Sequence, residues 1–252
     1  MSDLEKQRDV WRALQLVTQA RIAVGRTGDS LPTETVMAFE VAQAQARDAV
    51  HKAFDVAAVA SAVESLGLTT MQLHSAANDR ATYLRRPDLG RKLSAESRER
   101  LVPKARSSLA VIVADGLSAG AAEKHAAPLV AELMQRVAID GPIFIATQAR
   151  VALGDGIGEL VGAEAVLMLI GERPGLTTPE SLGAYLTWAP RIGRTDAERN
   201  CVSNIHGNGL SYAAAALKLS LLLQNARKLG ATGVDLKDES EVTMHLPTSS
   251  ED

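Results

Sequence analysis

Between residues 109 and 170 the hydrophobic positions come in short unbroken runs. They are Leu109–Val113 (LAVIV), Ile143–Ala146 (IFIA) and Ala165–Ile170 (AVLMLI). Continuous apolar runs of this length describe strands buried on both faces, as in a parallel sheet covered by helices. A fourth strand is predicted at Ala184–Trp188. Longer apolar-periodic segments lie among and after them. Ala121–Val137 reads as a helix despite Pro128, Gly156–Gly162 suits a short one, and Tyr212–Leu229 is a long one closed by Gly230. Strands alternating with helices predict an α/β fold: a mostly parallel sheet with flanking helices, Rossmann-like in outline.

The pattern ahead of this region is helical. At Leu4–Val24 the residues Val10, Leu14, Val17 and Ala20 share one face, with Trp11 beside them, and Gly25–Gly28 ends the run. Thr33–Leu66 reads as one long helical region, preceded by Pro32 and closed by Gly67. Both could pack internally or serve as a docking arm for a partner. Met71–Leu93 changes character, because Arg80, Arg85, Arg86, Arg91 and Lys92 surround Pro87, Asp88 and Gly90. It is read as a solvated charged turn or as a loop that meets an anion or an acidic partner surface, since arginine suits bidentate contacts. A short helix is expected from Ser94 to Arg106. The organisation that follows is a helical region over 1–94, an α/β domain over 95–237, and a polar, disordered tail over 238–252.

Composition narrows the class. The chain has 252 residues, enough for a sizeable core, and 46% of them are hydrophobic. Aromatic residues are only 3%, so that core must be built from Ala, Val, Leu and Ile. A net charge of −3 gives no broad basic field for nucleic acid or an anionic membrane. A single cysteine excludes an internal disulfide and a cysteine-rich metal site, and fits a reducing cytoplasm. No run approaches the roughly 18 apolar residues of a membrane span. The first residues, MSDLEKQRDV, hold no signal-peptide apolar region.

Candidate chemistry concentrates in Gly171–Gly209. This polar, glycine-rich stretch leaves a buried strand, where α/β folds place ligands. It holds Trp188, the single Cys201 and four arginines. Glu172 and Arg173 follow the third strand directly. They could form a surface ion pair, or Glu172 could accept hydrogen bonds from a ligand rich in N–H donors. Cys201 and His206 raise the possibility of a nucleophile and base, but they are neighbours in sequence, and such sets assemble in space. Cys201 could equally be a small packed residue. Upstream, Gly154, Gly156 and Gly158 have the wrong spacing for a dinucleotide loop, and no phosphate-loop lysine follows. They are read as a tight turn where backbone approaches a neighbour or ligand. The five histidines form no ligand-spaced pair, which argues against zinc.

Several long motifs carry a resemblance. GERPGL at Gly171–Leu176, SLGAYLTWAPR at Ser181–Arg191 and TDAERNCVSNIH at Thr195–His206 resemble, in that order, the small (light) subunit of ethanolamine ammonia-lyase. So do TYLRRPDLGRKL at Thr82–Leu93, VADGLSAGA at Val113–Ala121 and RVALGDGIGELVGAEAV at Arg150–Val166. The resemblance covers roughly Arg21 to Asp238. It implies a non-catalytic subunit of an adenosylcobalamin enzyme that converts ethanolamine to acetaldehyde and ammonia. The large subunit, a barrel, would carry the substrate site, and this chain would close over the corrin from the other side in a hetero-oligomer. The contacts it implies are Val151, Glu172 and Cys201, with no catalytic residue and no activity from the isolated chain. It raises the partner reading for Arg85, Pro87, Asp88 and Gly90. Many members carry an extra amino-terminal segment for a bacterial microcompartment. With only about twenty residues ahead of the match, the expectation here is a cytoplasmic, unencapsulated protein. The alternatives are a stand-alone α/β hydrolase or binding domain using Cys201, His206 and Glu172, and a purely structural adaptor.

Overall fold

A computed structural model describes residues 3–18, 20–101 and 107–237. The expected tail and the last part of the helix expected up to Arg106 lie outside these residues. In chain order the elements are helices α1 (Asp3–Val17), α2 (Thr33–His51) and α3 (Val56–Glu64), strand β1 (Thr70–His74), and helices α4 (Arg80–Arg85) and α5 (Ala95–Arg100). Then come β2 (Leu109–Ala114), α6 (Ala119–Met134), β3 (Ile143–Thr147), α7 (Leu153–Val161), β4 (Ala165–Gly171), β5 (Leu182–Trp188), β6 (Arg199–Ile205) and α8 (Tyr212–Leu229).

The strands form one sheet in the order β1-β3-β2-β4-β5-β6. The first four are parallel, while β5 runs antiparallel to β4 and β6 antiparallel to β5. The α/β class therefore holds, and the expected parallel sheet holds in part: three of the five strand pairings are parallel, and beyond β4 the sheet is antiparallel, so it is mixed. All six β2 residues and all seven β4 residues are buried, which is why both strands are continuous apolar runs. Helices α3, α6 and α8 cover one face, packing Val59, Leu129 and Leu222 against Val111, Leu167 and Leu186. The other face carries α7, whose Leu153, Ile157 and Val161 meet Ile112, Val166 and Met168.

The two strands missing from the sequence reading, β1 and β6, are the sheet edges. An edge strand buries less of each face, so TMQLH and RNCVSNI mix polar with apolar residues. The charged segment 71–93 thus contributes a strand and α4, and the polar stretch Gly171–Gly209 contributes β6 beside the expected fourth strand. Two helix expectations also change. The first helix stops at Val17, and the long region from Thr33 breaks at residues 52–55. Lys52 turns extended (ψ 131), and the Asp55 side chain accepts the Ala58 N–H at 2.9 Å to start α3. Helix α2 buries only Ala42 and exposes Met37, Phe39 and Val41, so internal packing alone does not account for it.

The glycines of the 154–158 cluster lie inside α7 rather than in a tight turn. Their expected close approach is real: a Cβ on Gly154 would stand 3.0 Å from Val166, and one on Gly158 would overlap Val166 and Pro190. Small residues let this helix sit close to β4.

Candidate functional site: the open end of the sheet

Strands β2 and β4 are neighbours, and the chain leaves β2 toward β3 on one side and β4 toward β5 on the other. Crevices at such reversal points, beyond the carboxyl ends of the strands, are where α/β sheets take ligands. A cavity of about 410 Å³ lies there, lined by Gly116 and Leu117 after β2, Arg150 and Val151 after β3, and Glu172 and Arg173 after β4. Tyr83 and Tyr185 complete its wall.

Loop packing sets this crevice. A Cβ on Gly116, whose φ is 53°, would overlap the Gly171 carbonyl, and one on Gly171 would overlap the Ser118 carbonyl. Beneath the loops lies Asp115, 1% exposed. Its carboxylate accepts the backbone N–H groups of Gln148 (2.9 Å) and Ala149 (3.0 Å), and it pairs with Arg80 (3.3 Å). Burial pushes the Asp115 carboxyl up, and these three donors oppose the shift. One buried acid thereby ties the β2 and β3 loops together.

Glu172 is half-buried at the mouth. Its Oε2 accepts the Ser181 hydroxyl at 2.5 Å and the Asn204 N–H at 3.2 Å. The second bond depends on an irregularity between β5 and β6 and on Asn204, whose backbone is left-handed (φ 61°). Oε1 accepts nothing from the described residues. Gly183 flanks it, where a Cβ would stand 3.0 Å from Oε1. The result is an oriented carboxylate with one oxygen free for a donor.

Cys201 lies outside the cavity lining, one strand further on. It is the cross-strand partner of Tyr185, which does line the cavity. Cys201 and Ser203 are exposed on this face of β6. Although the residue is exposed, its thiol lies against Tyr185, and loss of water there pushes the thiol pKa up; the Tyr185 hydroxyl bond lowers it only in part. A thiol held protonated is a poor nucleophile. His206 does not activate it. Its Nε2 meets Asn204 Oδ1 at 2.8 Å, and it lines a different cavity with His125 and Tyr212 on the α6–α8 side. The pair needed by the hydrolase alternative is not assembled among the described residues.

Of the three residues expected at the site, Val151 and Glu172 share the cavity, and Tyr185 links Cys201 to them. Sequence reasoning missed Tyr83, Arg150 and Tyr185. Tyr83 and Tyr185 are two of only three tyrosines in a chain with 3% aromatics, a signal that was available.

The family model described as "Ethanolamine ammonia-lyase light chain (EutC)" matches residues 8–237. The chain belongs to the ethanolamine ammonia-lyase light chain family. Its match starts earlier than the stretch carrying the motifs, which began near Arg21. Proteins named ethanolamine ammonia-lyase small subunit are similar along nearly the whole length. That of Xanthomonas campestris pv. campestris is 52% identical over 243 residues, covering 93% of this chain and 89% of the relative. That of Pseudomonas syringae pv. tomato is 50% identical over 251 residues, covering 96% and 88%. That of Azotobacter vinelandii is 52% identical over 241 residues, covering 92% and 89%. Among the described residues of this light-chain family member, no helix is long and apolar enough to cross a membrane.

Proposed function

We propose that this chain is the small subunit of an adenosylcobalamin-dependent ethanolamine ammonia-lyase, binding the corrin edge while a large subunit supplies the substrate site. The observation that carries this reading is the crevice itself: a cavity where, among the described residues, Glu172 keeps one carboxylate oxygen free and the Arg150 and Arg173 guanidinium groups have no hydrogen-bond or ion-pair partner, continuing onto an exposed corner of the sheet. A corrin is broad and flat, with carboxamide arms that both donate and accept hydrogen bonds. An open shelf with donors and acceptors along one wall suits it, whereas a cavity of about 410 Å³ cannot enclose it. The residues present therefore fit the group.

When bound, adenosylcobalamin supplies the radical chemistry of the ammonia-lyase reaction. This chain's residues bind and orient. Glu172 Oε1 accepts an amide N–H, Val151 gives an apolar wall at the start of α7, and Cys201 contributes shape beside Tyr185. None is arranged to move a proton, so the isolated chain is proposed to be inactive. The exposed apolar residues of α1 and α2 and the open sheet corner suit cover by the large subunit in a hetero-oligomer. We propose the cytoplasm as the place where this assembly works, in keeping with a single cysteine in the sequence.

In the two-subunit enzyme, Glu172→Ala should weaken cobalamin binding by about 5- to 150-fold, the effect of about 1–3 kcal/mol for a donor left unpaired. Cys201→Ser should cost less, because size is nearly kept. Deamination should recover at saturating cofactor for both. Loss of turnover at saturation with normal binding would give Glu172 a chemical role and end this reading.

The Arg85–Asp88 turn is assigned to the subunit interface. Arg86 and Asp88 close a bidentate pair at 2.9 and 2.8 Å, while exposed Arg85 donates to the Ala81 carbonyl of its own helix and makes no other hydrogen bond among the described residues. Arg85→Ala should reduce co-purification with the large subunit and leave the thermal melt unchanged. A lowered melting temperature with intact assembly would place its role inside the fold.

A further inference from the structure

Four buried side-chain nitrogen or oxygen atoms of the described residues have no hydrogen-bond partner, and three of them gather beside the crevice: Arg80 Nη2, Gln148 Oε1 and Arg150 Nε. Buried polar groups are normally paired, so a cluster of exceptions beside a cavity calls for a physical reason.

Arg150 is the member of this cluster that lines the cavity. Its guanidinium carbon stacks 4.3 Å from the centroid of the Tyr83 ring, and that of Arg80 stands 4.8 Å from the same centroid. Tyr83 is fully buried and donates to the Ala149 carbonyl at 3.0 Å, so the platform is fixed. Gly90 gives room for the stack, since a Cβ there would come within 3.0 Å of both Arg150 Cγ and the Tyr83 ring. The backbone leading in is also constrained. Gln148 has a left-handed φ of 53°, uncommon for a residue with a side chain, and Asp115 holds it there through the Gln148 and Ala149 N–H groups. The two cations differ in what they meet. Arg80 pairs with Asp115 and donates to the Gly116 carbonyl at 2.8 Å. The Arg150 guanidinium makes no hydrogen bond or ion pair with any described residue, only the ring contact. A rigidly mounted, uncompensated guanidinium facing a cavity calls for an oxygen acceptor.

We infer that Arg150 is a further cofactor-binding residue, its guanidinium donating to a carboxamide or phosphate oxygen of the ligand on the wall of the Glu172 cavity. This rests on the cobalamin reading above. The two side chains divide the work: Glu172 takes a donor from the ligand, and Arg150 takes an acceptor.

The test uses the complex of this chain with its large subunit, titrated in equilibrium dialysis with cyanocobalamin and, separately, with cobinamide. Cobinamide keeps the corrin amides but lacks the phosphate and base. Arg150→Met should weaken cyanocobalamin binding by about 10- to 100-fold, as expected for loss of a hydrogen bond to a charged group. Arg150→Lys should recover only part, since it keeps the charge without the planar fork. An equal loss for both ligands assigns a corrin amide as the acceptor, and a loss confined to cyanocobalamin assigns the phosphate. Unchanged affinity for both overturns the inference. So does an Arg150→Met complex that dissociates more easily but binds normally while assembled, because the arginine would then serve a carboxylate of the partner. A wild-type complex that binds neither ligand defeats the cobalamin reading itself, a distinct failure. If Arg150→Met does not fold, Arg150→Gln, neutral and shorter, takes its place in the same titration.

Discussion

Replacing Arg199 with methionine should lower the free energy of unfolding by about 3–5 kcal/mol, because it strands a buried carboxylate. Arg199 begins β6, and Asp155 comes from the first turn of α7; each side chain is 2% exposed. Arg199 Nη1 and Nη2 donate to the two Asp155 oxygens at 2.6 and 2.7 Å. The guanidinium also donates to Thr187 Oγ1 at 2.9 Å and the Arg194 carbonyl at 3.0 Å. Burial pushes the Asp155 carboxyl up, and the bidentate arginine opposes it. With Arg199 gone, the carboxylate keeps its desolvation cost and loses its partner. Urea unfolding should show a lower midpoint with an unchanged slope. The double change Arg199→Met with Asp155→Leu should regain much of the loss, since removing both charges leaves neither unpaired. A single variant as stable as wild type would mean that water reaches the pair. The consequence extends to the site: this ion pair ties α7 to the start of β6, and Cys201 is two residues further along that strand.

Asp115→Ala should cost about 3–5 kcal/mol by the same logic, with a local effect on binding. The Asp115 side chain is 2% exposed and its partner Arg80 16% exposed. Its removal leaves the Arg80 cation short of its counter-charge and two backbone N–H groups without acceptors. It also frees Gln148 from its left-handed backbone, so the β3 loop carrying Arg150 and Val151 should shift. The two-subunit complex should then bind cobalamin at least about tenfold more weakly, on the scale of one lost charge-assisted hydrogen bond. Asp115→Asn keeps the volume but turns a donor toward donors, and should resemble the alanine variant. A large loss of stability with unchanged cobalamin affinity would show that Asp115 supports the fold without shaping the crevice.

The sequence by itself determined the middle of the sheet. The runs at 109–113, 143–146 and 165–170 had to be strands buried on both faces, because no polar residue interrupts them. It also marked Glu172, which leaves β4 directly and must lie at the carboxyl end of the sheet. Motif resemblance singled out Val151 and Cys201, which no local pattern distinguishes. Tertiary structure alone decided the edges, since β1 and β6 are strands through pairing with β3 and β5 and not through an apolar run. It alone decided that β5 and β6 turn antiparallel and leave a corner of one face uncovered, because strand direction is set by how the chain returns. It alone brought Tyr83, Arg150 and Tyr185 together around Glu172. Those contacts span more than a hundred positions between Tyr83 and Tyr185. Periodicity records which face of an element is buried; which distant loops meet above the sheet depends on strand order, and on the buried acid Asp115 that ties the β2 and β3 loops together there.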